Sequence, residues 1–352
     1  MKEINPNKIK KSEIVVGVPS YNEADSISNV IKKIDQGLVK YFGDKPAVII
    51  NSDNNSSDGT SEIFLKLKTK TSKIYISTPP GVKGKGNNFK NLFLKMKELG
   101  ASAAMVVDAD LKSITPEWVK CLISPIRSGY DYITPVYYRD KYDASITNHL
   151  CYPILYGFLR YDIRQPIGGD FGFSNKMVDY WLSLEWTEEV KKFGIDIFMT
   201  LNAIKFGGKL GQADLGFKIH KISAPKLDNM FLEVVGSLFQ FLSENENLWK
   251  KEMEIQKPPL VCSLSKKMEY SMTGGNDEIK KKSFQIDSIS WAKEVHRLFN
   301  AYRKSADKKT VLISLRSLFF ARRNTFIEEI RDKNYDDLEK VIKNEARHMM
   351  SY

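Results

Sequence analysis

Two carboxylates one residue apart close an apolar run in Ala103-Ala104-Met105-Val106-Val107-Asp108-Ala109-Asp110. Residues i and i+2 of a strand project to the same side, so Asp108 and Asp110 converge on one point at the end of a buried strand. Carboxylates held that close repel unless a cation lies between them, and hard divalent ions take carboxylate oxygen together with substrate phosphates. Metal-diphosphate binding is the chemistry such a pair supports. The same residues would also suit a polar strand end running into a turn.

Other stretches carry groups of similar interest. In Pro79-Pro80-Gly81-Val82-Lys83-Gly84-Lys85-Gly86-Asn87-Asn88, glycines surround two lysines just ahead of a helix. Backbone N–H groups and a helix N-terminus both favour anions, which makes this a phosphate cradle or else a surface loop with solvated lysines. No Gly-x-x-x-x-Gly-Lys-Ser/Thr occurs there, which disfavours a P-loop ATPase. Asp53 follows an apolar strand and is placed to accept bonds from a base or ribose, whereas Asp58 suits an Asx-turn or helix cap. The paired Gly168 and Gly169 let a ligand approach the backbone closely. Asp196 sits alone inside an apolar run, where a helix N-cap explains it as well as a sugar-binding role does. His220 is one of four histidines and reads as a ligand or as a solvated or capping residue.

The elements that must position these groups alternate. Strands are expected at Ile14–Pro19, Ala47–Ile50, Lys73–Ser77, Ala103–Val107, Tyr130–Tyr138 and Ala213–His220. Helices are expected around Ile27, Val30, Ile31 and Ile34, around Ile63 to Leu67, from about Phe89 to Leu99, and after Thr115-Pro116, with Thr115 as N-cap. A further, mostly apolar helix runs through Arg160. Strand, polar loop and helix in this order make a parallel α/β unit, whose ligands bind beyond the carboxyl ends of the strands. Leu227, Met230, Phe231, Val234, Val235, Leu238, Phe241 and Leu242 then trace one face of a long helix. Residues 253–286 are lysine-rich and broken by Pro258-Pro259 and Gly274-Gly275, reading as a loop or hinge. From Ile289 onward the chain reads as helices, with Leu312, Leu315, Leu318 and Phe319 as an apolar stripe. The expected division is an α/β catalytic domain over 1–222 and a helical region over 223–352.

With 352 residues and 42% hydrophobic composition the chain has enough apolar surface for a real core. A formal charge of +11 favours anionic ligands, but it is spread along the chain and no nucleic-acid motif accompanies it. Cys121, Cys151 and Cys262 are far apart, and their spacing indicates neither a zinc site nor a disulfide framework. The basic start lacks the apolar core of a signal peptide, and Leu150–Leu159 is too short to span a bilayer. A soluble cytoplasmic protein is expected.

Taken together, Val18-Pro19-Ser20-Tyr21-Asn22-Glu23, the loop Asp53 to Thr60, and Asp108-Ala109-Asp110 at successive strand ends resemble the GT-A glycosyltransferases. Over residues 14 to 245 the chain is most similar to the retaining enzymes that glycosylate glycerate or phosphoglycerate, the mannosylglycerate and glucosylglycerate synthases and the glucosyl-3-phosphoglycerate synthases. Gly84-Lys85-Gly86, Gln165-Pro166-Ile167-Gly168-Gly169, Phe193-Gly194-Ile195-Asp196, Asp214-Leu215-Gly216 and Lys218-Ile219-His220 carry that similarity.

The resemblance implies a nucleotide-diphospho-sugar transferase fold and a divalent cation, Mg²⁺ or Mn²⁺. It assigns the cation to Asp110 and His220, with Asp108 supporting the ribose or the ion. Pro19, Tyr21, Glu23 and Asp53 would hold the nucleoside of a GDP- or UDP-hexose, and Lys85 would face its diphosphate. Gln165, Gly168, Gly169 and Asp196 would bound the hexose, making Asp196, Asp110 and Lys85 the catalytic set. Arg139 and Thr147, with Gly168, would grip the carboxylate of D-glycerate or a close relative; a planar guanidinium suits that task because it binds a carboxylate bidentately. Two positions depart from the family pattern, both on the donor side: Asn87 stands where an acid follows Gly-Lys-Gly, and the first loop has the Ser-Tyr-Asn-Glu form of general GT-A enzymes. Two other transfers are compatible, to 3-phosphoglycerate or, with inversion and Asp170 as base, to a polysaccharide or glycolipid. A silent nucleotide-sugar binding protein is the reading outside catalysis. The helical C-terminal region is a candidate surface for homo-oligomerisation.

Overall fold

Ile14, Val15, Val16 and Val18 are all buried, and a strand apolar on both faces belongs inside a covered parallel sheet. A computed structural model, which describes residues 2–140, 142–221, 226–250, 253–264 and 285–351, places them at the sheet centre. The strands are β1 (Lys2–Ile4), β2 (Ile14–Ser20), β3 (Ala47–Asp53), β4 (Ser72–Ser77) and β5 (Ala103–Val106). They continue with β6 (Tyr132–Tyr138), β7 (Phe171–Ser174), β8 (Leu210–Phe217) and β9 (Leu260–Ser263). Their order is β1-β4-β3-β2-β5-β7-β6-β8-β9. β2 pairs in parallel with β3 on one side and β5 on the other, so the chain reverses its winding there. That switch point opens a crevice at the carboxyl ends of β2, β3 and β5. β7 runs antiparallel between β5 and β6.

The period of two sorts the strand residues to opposite faces. Val16, Val18, Ile49, Met105 and Val107 join one core, covered by the helices Ile27–Phe42 and Pro116–Arg127. Val15, Val48, Ile50, Ile74 and Val106 join the other, under the helices Lys85–Glu98, Asn175–Ser183 and Ile195–Phe206. Thr115 precedes its helix as expected, but its side chain makes no capping bond.

The chain divides into two compact units, and the division departs from a single cut near residue 222. The sheet unit comprises Met1–Tyr138, Gly168–Ile222 and Pro259–Lys266; the helical unit comprises Arg139–Ile167, Ser223–Pro258 and Lys267–Tyr352. Most of the expected hinge, 265–284, lies outside the described residues.

A second correction concerns the cysteines. Cys121 and Cys262 form a disulfide with Cα atoms 5.4 Å apart, while Cys151 is a buried thiol outside the bridge. Their separation of 141 residues hid the pairing, which arises because β9 returns to the sheet edge beside the helix that carries Cys121. No helix among the described residues is long and apolar enough to cross a membrane.

In the helical unit the expected apolar helix through Arg160 is a π-helix, Thr147–Cys151, followed by a short α-helix, Tyr152–Gly157. Long helices follow at Leu227–Glu244, Ser288–Lys304, Lys308–Glu329 and Tyr335–His348. Asp287, Asp307 and Asn334 cap the last three by accepting backbone N–H bonds. Ring pairs such as Phe231 with Phe319 and Phe239 with Phe299 join them.

Candidate active site

At the end of β3, Asp53 is fully buried and its carboxylate is satisfied from within. Ser20 Oγ donates to Oδ1 at 2.6 Å, Ser56 N to Oδ2 at 2.7 Å and Tyr75 OH to Oδ2 at 3.1 Å. Asp53 thus ties β2, β3 and β4 together beneath the loops that resemble a nucleoside site. Those loops are also clipped to each other. Asn22, in the left-handed region, donates its N–H to Ser56 Oγ at 2.8 Å, and Glu23 N donates to Thr60 Oγ1 at 2.9 Å. Asp58 forms the expected Asx-turn with Thr60 N, at 3.1 Å. Pro19 lies within β2, in register with Ser52. Tyr21 is exposed, and Lys83 Nζ donates to its hydroxyl at 2.6 Å. Glu23 accepts from Lys221 at 2.7 Å and Ser26 at 2.9 Å; burial outweighs both contacts and pushes its carboxyl up, with nearby Asp110 adding to the effect.

Beyond β5 lies a cluster of three acids and two lysines. Lys85 Nζ sits 3.0 Å from Asp108 Oδ1 and 2.9 Å from Asp196 Oδ2. Lys218 Nζ sits 2.9 Å from Asp108 Oδ2 and 2.7 Å from Asp170 Oδ2, and donates to Gly168 O at 2.7 Å. Asp170 also accepts from Asp108 N at 3.0 Å and from Tyr137 OH. Burial opposes the ionised form of Asp108, yet Lys218 and Lys85 outweigh it and hold the carboxyl far below the usual carboxylate range. Burial would lower Lys85, but Asp108 and Asp196 keep it charged above the usual lysine range. For Asp170 and Asp196 burial dominates, and both are pushed up. Asp196 Oδ1 is buried without a hydrogen-bond partner among the described residues.

Glycines set the spacing. Gly169 has φ +85°, and a Cβ there would collide with Asp108 Oδ2. Gly86 packs against the backbone of Val190 and Lys191. The N–H groups of Gly86 and Asn87 donate to Lys192 O at 3.0 Å and Lys191 O at 2.9 Å, so these donors bind protein carbonyls in place of a phosphate. Asp196 lies in the first turn of its helix, whose N-cap is Gly194, and its side chain goes to Lys85.

Asp108, with both oxygens on lysines, has partners other than the expected cation. Asp110 fits one better. Its loop runs beside the segment bearing His220, because Lys112 N donates to Ile219 O at 2.8 Å and Ile219 N to Ser113 Oγ at 2.9 Å. No three acidic, histidine or cysteine side chains form a metal cage among the described residues. Mg²⁺ needs no such cage where one or two protein ligands act with substrate phosphates, so the Asp110 and His220 pair fits the implied ion.

The structure therefore brings together Lys85, Asp108, Gly168, Gly169 and Asp196, and sets Asp110 beside the segment of His220. Arg139, Thr147 and Gln165 belong to the helical unit. Arg139 Nη1 lies 3.4 Å from Asp143 Oδ2, Thr147 opens the π-helix, and Gln165 is buried with Oε1 unpartnered among the described residues. Sequence reasoning gave Lys218 and Tyr137 no individual role; a lysine two residues before His220, at the end of an apolar strand, was the available signal.

A β-sheet of this order, with an Asp-x-Asp at its switch point and a buried acid–lysine cluster behind it, is the GT-A glycosyltransferase architecture. More particularly, residues 15–180 match the family model described as glycosyl transferase family 2. Among solved structures, glucosyl-3-phosphoglycerate synthase from Mycobacterium tuberculosis, in complex with Mn²⁺, UDP and glucosyl-3-phosphoglycerate, is 21% identical with a TM-score of 0.54. The match covers 65% of this chain and 80% of that one. The same enzyme with Mg²⁺ and UDP is 20% identical with a TM-score of 0.55, over 65% and 79% of the two chains. A mycobacterial protein matches at 22% identity and a TM-score of 0.55, over 65% and 74%. These likenesses establish the shared fold. No curated protein matches the chain significantly.

Proposed function

We propose that the protein transfers a hexosyl group, mannose or glucose, with retention, from a GDP- or UDP-hexose to the 2-hydroxyl of D-glycerate or a similar small hydroxy acid. One observation carries the donor side of this reading: Asp196 Oδ1 is buried and unpartnered among the described residues, while Oδ2 is pinned by Lys85. A buried acceptor left unmade costs about 1–3 kcal/mol, and a sugar hydroxyl is the donor that would meet it. Lys85 fixes the orientation of Asp196 and adds positive charge where the diphosphate departs. Asp110 and His220 would hold the implied cation, which when bound would supply Lewis-acid neutralisation of the leaving diphosphate. Arg139 takes the acceptor carboxylate bidentately in exchange for its 3.4 Å contact with Asp143, and Thr147 adds a hydroxyl. Among the described residues of the site no side chain is an evident nucleophile, which suits attack on the face the diphosphate leaves. Asp170, the base an inverting transfer would need, is fully buried with both oxygens already engaged.

A second acceptor, 3-phosphoglycerate, is favoured by the likeness to an enzyme whose structure holds Mn²⁺, UDP-glucose and phosphoglyceric acid. The test is a product screen by NMR and mass spectrometry with GDP-mannose, GDP-glucose and UDP-glucose, each offered with glycerate or 3-phosphoglycerate and Mg²⁺ or Mn²⁺. An α-hexosylglycerate is expected, and direct competition ranks the two acceptors. Donor hydrolysis without transfer to either overturns the acceptor reading; a β-linked product overturns retention.

A further inference from the structure

Thr147 is presented on the π-helix Thr147–Cys151, in which Tyr152 N donates to Thr147 O. Such a wider turn is unfavourable alone and persists where the surroundings impose it. Its cause begins in the sequence. An α-helix would satisfy the His149 carbonyl with the N–H of residue 153, which is Pro153 and has none.

The orphaned carbonyl is met by Trp291 Nε1 at 2.9 Å, buried. His149 Nδ1 lies 2.9 Å from Glu345 Oε1, and its ring stands edge-on to Phe326 with centroids 4.5 Å apart. Glu345 is held in turn by Arg322, whose Nε and Nη2 donate to Oε2 at 3.0 and 2.8 Å. His149, Glu345 and Arg322 are all buried, so this chain of charge and imidazole is shielded from water. The adjacent Asn148 accepts from Arg164 Nη2 at 3.0 Å, and Arg164 is clamped by Glu339. Each of the helices Ser288–Lys304, Lys308–Glu329 and Tyr335–His348 thus contributes a group to one turn of backbone.

We propose that the C-terminal helices are the positioning frame of the acceptor segment, with Glu345 and Trp291 acting through His149 to hold the π-turn that orients Thr147. The inference rests on the acceptor role assigned to Arg139 and Thr147. Glu345 and Trp291 are positioning residues: they touch the turn and reach the acceptor through it. Relaxation of the turn to an α register would rotate Thr147 about the helix axis relative to the residues after it.

The full chain is compared with Trp291→Phe, which keeps a ring but loses the donor, and with Glu345→Gln. Acceptor KM is expected to rise about tenfold while donor KM and donor hydrolysis stay within about twofold, since misplacement of a positioning group is felt by its own substrate. Amides 148–152, Tyr152 in particular, should lose hydrogen-exchange protection in Trp291→Phe. Donor and acceptor parameters shifting together, or unchanged exchange over 148–152, overturns the proposal. Arg139→Ala is run alongside. If it leaves acceptor KM unchanged, the acceptor reading falls, and the exchange measurement alone decides whether these helices hold the turn.

Discussion

Lys218 Nζ holds Asp108, Asp170 and the Gly168 carbonyl at once, with its side chain 2% exposed. Removing one partner of a buried pair strands the other, at a cost of about 3–5 kcal/mol. Lys218→Met is therefore expected to lower unfolding free energy by about that amount in urea titrations and to abolish transfer, whereas Lys218→Arg should recover part of the stability. The charge on Glu345 has a defined pH consequence. Burial would raise its pKa, but His149 and Arg322 together hold it below the ordinary glutamate value of 4.5. A folded-state value below the unfolded one gives stability that is complete above about pH 4.5 and is lost as pH falls through the folded value. The thermal midpoint should accordingly drop on acidification below that point, and Glu345→Gln should flatten the drop. Asp108 and Asp110 were legible as acids closing an apolar run, but β5 ends at Val106 and both lie beyond it, so the strand geometry expected to bring them to one point does not apply to them. Lys218 was not, since its carboxylate partners lie 110 and 48 residues away.

Among the elements, the helix Lys85–Glu98 depends on Gly86, where a methyl group would overlap Val190 O. Overpacking of this kind costs about 1–3 kcal/mol, so Gly86→Ala should destabilise the protein by that much and raise donor KM by shifting Lys85 away from Asp108 and Asp196. Chemical denaturation and initial rates measure the two effects. The strands of the sheet centre could be read to within a few residues because they are apolar on both faces and end in polar loops. The turn at Thr147–Cys151 could not: Pro153 marks a missing donor, but nothing local says that Trp291, 142 residues on, replaces it. Gly84-Lys85-Gly86 was legible as a glycine cluster beside a helix start, while the packing that requires it is tertiary.

For the whole molecule, the alternation of strands and helices foretold the α/β sheet and the helical end, yet the chain passes between the two units at four places besides the expected boundary. Residues 139–167 look like ordinary α/β connection in sequence, and only packing assigns them to the helices. The disulfide adds a global constraint. A cross-link closing a loop of this length contributes about 2–5 kcal/mol by restricting the unfolded chain. Reduction should lower the thermal midpoint, and thiol titration of the denatured protein should find one reactive thiol before reduction and all three afterwards, given one thiol outside one bridge.

β9 completes the sheet from a piece of chain, Pro259–Lys266, that arrives after a long excursion through the helical unit. A ribosome has therefore released more than 250 residues before β8 gains its outer neighbour. Until then β8 is an open edge with unpaired backbone donors and acceptors, the template on which nascent chains associate. Fragments ending before Pro259 should aggregate where the full chain stays monodisperse in expression trials, so a four-residue strand at the far edge of the sheet bears on the solubility of the whole chain.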